Sequence, residues 1–148
     1  MNNGQKIIEI ATNEIGIKET PPNSNCTKYG EWFGLNGVAW CGIFVSYCFA
    51  KAGFPLKGWG YAKGYAGCQT AYIKALKDNL IVTQPQQGDI ILFDWNGDKR
   101  FEHTGIFVKD NGDGKTFTSI EGNTGFTNQS NGGQVMERNR FYKTATFL

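Results

Sequence analysis

The stretch VAWCGIFVSYC, at residues 38–48, decides the fold that this sequence predicts. Apolar residues there and just beyond repeat at the i, i+3, i+4, i+7 spacing of a buried helical face: Cys41, Phe44, Val45, Cys48, Phe49 and Ala52. Gly53 supplies a stop signal after them. Because the segment is apolar on most sides, we expect residues 39–52 to form the central helix of the protein.

The regions on either side of this helix differ in pattern. An apolar stripe predicts a helix over residues 4–16, and a second periodic segment predicts one over residues 66–79. Residues 17–37 contain two consecutive prolines and several Asn and Gly residues, so we interpret them as a long loop. That loop carries an aromatic cluster of three residues: Tyr29, Trp32 and Phe33.

Five β-rich runs follow the helical half of the chain: 89–95, 103–108, 116–121, 135–140 and 143–148. Helices precede strands, which favours an α+β fold with N-terminal helices packed on an antiparallel sheet of about five or six strands. A length of 148 residues suits one hydrophobic core, so we expect a single domain over residues 1–148.

Composition excludes several classes of function. Lys and Arg number 15 against 13 Asp and Glu, and the formal charge of +2 gives no basic face for nucleic acid. His103 is the only histidine, which excludes zinc sites with two or three His ligands. The N-terminus lacks a secretory signal, and the run 38–50 is too short to span a bilayer. We therefore expect synthesis in the cytoplasm without a signal peptide, and no membrane insertion.

Cys41 is the first candidate for chemistry because it sits at the N-terminal end of the predicted central helix. The partial positive charge at a helix N-terminus favours a thiolate over a thiol. Free backbone N–H groups at the same place can stabilise the oxyanion of an attacked carbonyl. The alternative is a buried core cysteine, which is our interpretation of Cys48, seven residues later on the same face.

His103 and Glu121 are the second and third candidates. If the hairpin between them turns at Gly112, Val108 faces Thr116 and His103 faces Glu121. A carboxylate at that position can accept the imidazole N–H and raise the basicity of the ring. Asn123 is a further orienting group or a brace for Glu121. The alternative is an ordinary surface contact, and a slip of one residue would separate the pair.

A cysteine, a histidine and an orienting carboxylate or amide form a nucleophile–base set for acyl transfer. Four stretches in this order resemble the CHAP family, the cysteine- and histidine-dependent amidohydrolases/peptidases of the papain-like NlpC-type group: 38–48, 87–93, 103–108 and 121–123. The resemblance implies cleavage of bacterial peptidoglycan, at the N-acetylmuramoyl-L-alanine amide or within the stem or cross-bridge peptide. It also implies that Cys41 is the nucleophile, His103 the base, and Glu121 with Asn123 the orienting pair.

Two aromatic residues are weaker candidates for contact with substrate or oxyanion. Tyr29 lies 12 residues before Cys41, a spacing similar to that of a tyrosine near the nucleophile in NlpC-type relatives. Trp40 is expected to belong partly to the core and partly to the cleft wall. Both residues have plain packing as their alternative.

No metal or other cofactor is expected. Some CHAP lysins carry an acidic calcium loop just before the nucleophile, but residues 30–40 contain only one acid, Glu31. The segment DNGDG at 110–114 fails the EF-hand pattern, because glycines occupy the third and fifth ligand positions.

The leading hypothesis from the sequence is an endolysin-type, thiol-dependent peptidoglycan hydrolase that acts as a monomer at the cell wall. Its export would need a holin or another carrier. One alternative is a non-catalytic wall-binding module on the same scaffold. Another is a peptidoglycan-amidase toxin delivered to rival bacteria.

Overall fold

The computed structural model describes residues 1–148, and its helices precede its strands as predicted. The elements in chain order are α1 (Asn3–Thr12), α2 (Lys28–Phe33), α3 (Cys41–Lys51), α4 (Cys68–Asp78), β1 (Ile90–Phe93), β2 (His103–Asp110), β3 (Thr116–Thr124), β4 (Gln134–Phe141) and β5 (Ala145–Phe147), with a 3₁₀ turn at Tyr142–Thr144. This order confirms the α+β prediction.

The five strands form one antiparallel sheet in the order β4-β3-β2-β1-β5. Alternate side chains of a strand point to opposite faces, and the two faces of this sheet support separate apolar clusters. One face carries Ile90, Leu92, Ile106 and Ile120 and joins the main core with the helices. The other carries a smaller, largely aromatic cluster: Ile91, Phe93, Phe107, Phe117 and Phe147.

Helix α3 is the central helix, as its sequence predicts. Eight of its 11 residues are buried, and it packs against both β2 and β3. The approach to β3 depends on Gly122, because a Cβ at that residue would lie 2.5 Å from Phe44 Cβ. This close packing fixes the N-terminal end of α3, and therefore Cys41, relative to the sheet.

The prediction of one long loop over residues 17–37 is wrong, because α2 lies within it. The Thr27 side chain caps this helix by accepting the Gly30 N–H at 3.1 Å, and Gly34 ends it in the left-handed region at φ 88°. The first helix is also shorter than predicted. It ends at Thr12, and the following turn brings the Gly16 N–H to the Val135 carbonyl at 3.0 Å.

The predicted register of the β2–β3 hairpin is wrong by two residues. Ile106 pairs with Ile120 and Phe107 with Ser119, and the register shifts again between Phe107 and Lys109. Between His103 and Phe107 the slip of two residues keeps each side chain on its predicted face, which a slip of one would not. His103 and Glu121 therefore still share a face, as diagonal neighbours rather than as a directly opposed pair. Beyond the shift, where Lys109 pairs with Thr118, the slip is three residues and the relative faces change.

None of the four α-helices combines the length and the apolar character needed to cross a membrane.

Candidate active site

His103 and Glu121 meet where β2 begins. The imidazole Nε2 and the carboxylate Oε1 are 2.9 Å apart, and neither side chain has any exposed surface. His103 pairs with Phe93 across the β1–β2 ladder. Gly105 leaves room for the carboxylate, since a Cβ there would lie 2.7 Å from Glu121 Cγ. The sheet therefore holds the ring and the carboxylate in contact without access to bulk water.

The Glu121 carboxylate accepts four hydrogen bonds in total. Oε1 accepts from His103 Nε2 and from Arg140 Nη2 at 2.6 Å, and Oε2 accepts from Arg140 Nε at 2.8 Å and from Ser119 Oγ at 2.5 Å. Burial opposes ionisation of this group, but the bonds from Arg140 and His103 prevail and lower the pKa of Glu121 to about 2. Glu121 is thus a buried carboxylate that stays charged at every pH at which the protein would work.

Cys41 is the first residue of α3 and is 5% exposed. The pKa of its thiol is well below the usual cysteine range. The chief cause is a hydrogen bond from the Cys68 thiol, which outweighs the effect of burial, and His103 and the Gly42 N–H add to it. These contacts favour the thiolate form of Cys41.

His103 lies between the thiolate and the carboxylate. Burial disfavours its charged form, yet its interactions with Cys41 and Glu121 raise its pKa to about 9. Glu121 occupies Nε2, and Nδ1 is buried without a hydrogen-bond partner of ordinary geometry. The contact with Cys41 is thus looser than a hydrogen bond, as catalytic pairs often are before substrate binds.

Cys68 is a contact of the nucleophile that the sequence reasoning missed. It is the first residue of α4, and the segment before it is held against α3 through Ser46, whose Oγ accepts the Tyr65 N–H at 3.0 Å. The neighbouring Cys41 sulfur and burial raise the pKa of the Cys68 thiol, so the protonated form is favoured and can donate toward Cys41. The only signal in the sequence was the position of Cys68 near the start of a predicted helix.

Two aromatic rings form a wall beside the imidazole, and the sequence analysis did not identify them either. Phe93 and Trp95 both stack with the His103 ring, at centroid distances of 5.8 and 5.7 Å. The Arg140 guanidinium lies over the same two rings, at 5.4 and 5.3 Å from their centroids. This wall shields both the imidazole and the guanidinium from water.

Asn123 is buried near Glu121 but makes no hydrogen bond to His103. Its Nδ2 donates to Asn131 Oδ1 at 2.9 Å, and its Oδ1 accepts the Gly133 N–H at 3.0 Å. The residue has a left-handed backbone with φ 58°, where the regular β3–β4 pairing is interrupted. Its placement is that of a brace for the loop between β3 and β4.

Tyr29 and Trp40 are fully buried, and neither offers a surface to substrate. Their rings stack at a centroid distance of 5.5 Å, and the Trp40 Nε1–H donates to Glu19 Oε2 at 3.1 Å. Tyr29 Oη is buried without a hydrogen-bond partner. Both residues belong to the core behind the first turn of α3.

Two further features lie outside this group. Asp94, Asp98 and Glu102 bring their carboxylates together, with ligand atoms within 4.8 Å of one another, but exposed acidic groups are common without an ion and we assign none. A surface cavity of about 1350 Å³ is lined by residues such as Gly4, Gln86 and Lys109, and no member of the Cys41 site lines it.

A thiol, an imidazole and a carboxylate grouped on an α+β fold in this way are the parts of a nucleophile–base set for acyl transfer. A family model for the CHAP domain matches residues 33–123, which is more than half of the chain and includes Cys41, His103 and Glu121. The chain belongs to the CHAP domain family, which confirms the resemblance drawn from its sequence. Members of this family are generally cysteine- and histidine-dependent amidohydrolases or peptidases that act on peptidoglycan. A search of curated proteins gave no significant match.

Proposed function

We propose that this protein is an endolysin-type peptidoglycan hydrolase in which Cys41 attacks an amide carbon of the bacterial cell wall. The observation that supports this most is the position of the only histidine. His103 contacts the Cys41 thiol on one side and a buried, ionised Glu121 on the other. A wall-binding module would have no need to bury these three groups together, since burying charge is unfavourable unless every charge has a partner.

In the resting state of the proposed mechanism, Cys41 is a thiolate and His103 an imidazolium. The opposite shifts of their two pKa values favour this ion pair. Glu121 keeps the ring oriented by accepting a hydrogen bond from Nε2, which leaves Nδ1 as the nitrogen available to the reacting atoms. The nucleophile is therefore charged before substrate arrives.

The first half of the reaction forms a thioester. The Cys41 sulfur bonds to the carbonyl carbon, and the carbonyl oxygen becomes an oxyanion. The backbone N–H of Cys41 is free to donate to it, because the first helical bond of α3 runs from the Phe44 N–H to the Trp40 carbonyl and Trp40 provides no side-chain cap. The C–N bond then breaks, and His103 gives its proton to the leaving amine.

The second half returns the enzyme to its starting state. Neutral His103 takes a proton from water, and the resulting hydroxide attacks the thioester carbon. The carbon–sulfur bond breaks, which releases the carboxylic acid product and restores the Cys41 thiolate. We propose that the bond cleaved is either the N-acetylmuramoyl-L-alanine amide or a peptide bond of the stem or cross-bridge, and that the protein reaches the wall after release from the cytoplasm.

Digestion of purified cell walls tests this function. Wild type should lower the turbidity of the suspension, and Cys41→Ala should not. Cys26→Ala is the matched control, because Cys26 is half-buried and its thiol contacts only the Ser24 carbonyl, at 3.6 Å. Mass spectrometry of the fragments then separates an amidase, which frees the amino group of L-alanine, from an endopeptidase. Equal turbidity loss with Cys41→Ala would overturn the proposal, and wall binding without cleavage by wild type would support the binding module.

A further inference from the structure

Arg140 is the only cation bonded to the Glu121 carboxylate apart from His103, and the proposed mechanism gives it no role. It lies on β4, opposite Phe117 of β3, and is 5% exposed. Glu121 itself pairs with Met136, four residues from Arg140 along β4. The arginine therefore reaches along the sheet to meet the carboxylate, rather than meeting it as a direct cross-strand neighbour.

Arg140 and Glu121 form a bidentate ion pair, in which the guanidinium acts as a planar fork. Nε and Nη2 of the guanidinium donate to different oxygens of Glu121, at 2.8 and 2.6 Å. A planar fork of this kind fixes both the position and the plane of a carboxylate, which a single donor cannot do. The plane matters here because Oε1 is also the atom that accepts from His103 Nε2.

The guanidinium is itself held on its other sides. Nη1 donates to Gln129 Oε1, and the planar group rests on the rings of Phe93 and Trp95. Those two rings also stack with His103. Arg140 and His103 are therefore fixed to the same wall and to the same carboxylate.

The contact between Arg140 and Glu121 also affects the charge of the His103 imidazole. The charges of the Cys41 thiolate and the His103 imidazolium cancel. Without Arg140, the buried set of Cys41, His103 and Glu121 would therefore carry the uncompensated negative charge of Glu121. The ionisable groups that act on His103 or on its partners come from four elements: Cys41 of α3, Cys68 of α4, Glu121 of β3, and Arg138 and Arg140 of β4. Among them only Arg140 places a positive charge in direct contact with the carboxylate.

We propose that Arg140 is a positioning residue that fixes the Glu121 carboxylate and, through it, orients His103 and limits how strongly the imidazole holds its proton. The inference rests on the proposed function, in which His103 must first give a proton to the leaving amine and then take one from water. A histidine beside an unbalanced carboxylate would hold its proton too tightly for the first of these transfers.

The only histidine of the chain makes this measurable, because the imidazole resonances in an NMR titration belong to His103 alone. Removing the charge with Arg140→Met should move the pKa of His103 upward by about one unit from its wild-type value, since the positive charge that balances Glu121 and disfavours a second positive charge on the ring is lost. Arg138→Met is the matched control. Arg138 lies two residues away on the same strand and donates to Thr124 and Gly125 instead of Glu121, so its loss should cause a much smaller shift.

Two more variants complete the test. Arg140→Gln removes the charge but keeps an N–H donor, and it replaces Arg140→Met if circular dichroism shows that the latter is unfolded. Arg140→Lys keeps the charge but loses the fork, and it should lower the rate of wall cleavage about tenfold through misplacement of the carboxylate. An unshifted His103 pKa in the uncharged variant, or a wild-type rate in Arg140→Lys, overturns the inference. The titration needs no substrate, so a wild type that fails to cleave walls would overturn the proposed function separately.

Discussion

Gly105 provides the space into which Glu121 packs: a Cβ at residue 105 would lie 2.7 Å from Glu121 Cγ and 3.1 Å from the Ile120 carbonyl oxygen. Gly105 is two residues after His103 on β2, so one short stretch of this strand supplies both the histidine that bonds to the carboxylate and the space that the carboxylate occupies. The absence of a side chain here is what lets the carboxylate lie between the histidine and the arginine.

Gly105→Ala should therefore lower activity far more than it alters the fold. The added methyl group pushes the carboxylate away from His103, and a displacement of about 1 Å at a catalytic group can cost about a hundredfold in rate. Wall-cleavage rates and melting temperatures of the variant check this. Gly112→Asn is the control, because residue 112 has a left-handed φ of 76° that Asn tolerates and open space around it, at the far end of the same hairpin. Full activity in Gly105→Ala would contradict the geometry.

The Glu121 ion should make the protein acid-sensitive. Its pKa falls from 4.5 to about 2 on folding, so its contribution is present above pH 4.5 and is lost as the pH falls through about 2. That shift corresponds to roughly 3 kcal/mol of the free energy of unfolding. Glu121→Gln should be less stable than wild type at neutral pH, and the difference should shrink toward pH 2.

Urea unfolding at several pH values measures this difference. Glu137→Gln is the matched control, because Glu137 is an exposed residue of β4 whose neutralisation leaves the buried pair intact. Stability curves of wild type and Glu121→Gln that stay parallel down to acid pH would show that Glu121 is not an ion in the folded protein.

Cys68 should control how acidic the nucleophile is. Its thiol donates to the Cys41 sulfur, so Cys68→Ala should raise the pKa of Cys41 and shift the acid limb of activity upward by about one pH unit. Cys68→Ser retains a donor and should restore most of the wild-type profile. The same acid limb in wild type and Cys68→Ala would mean that the contact contributes only packing.

Chelation should leave the activity unchanged. The mechanism proposed for Cys41 and His103 uses no metal, and the loop that holds Asp94 and Asp98 already offers backbone N–H groups to their carboxylates. Wall cleavage in EDTA, compared with the same assay after added calcium, checks this. A loss of activity that calcium restores would contradict the expectation.

The sequence predicts those parts of this site that depend on periodicity. The spacing of apolar residues places Cys41 at the start of α3, and the alternation of β2 and β3 places His103 and Glu121 on one face. The register itself is not predictable in this way. The pairing near the turn differs from the predicted one by three residues, and the irregularity after Phe107 reduces the difference to two, so the faces match the prediction only on the His103 side.

The sequence pattern does not reveal features that depend on the length of one side chain or on a single short helical turn. Arg140 contacts Glu121 only because its side chain is long, since its direct neighbour on β3 is Phe117. Helix α2 has six residues, too few for an apolar period to be visible, and the Thr27 cap stabilises its first turn. Cys68 approaches Cys41 because Tyr65 and Ala66, just before α4, pack closely on Gly42 at the start of α3.

The proposed chemistry depends on a Cys41 sulfur that is ionised because Cys68 donates toward it and His103 takes up its proton. The most direct test is a titration of thiolate absorbance in the ultraviolet, taken as the difference between wild type and Cys41→Ser. Titration well below the ordinary cysteine value of 9.0 is the result that the structure predicts. A Cys41 thiol that ionises only near that value would contradict it.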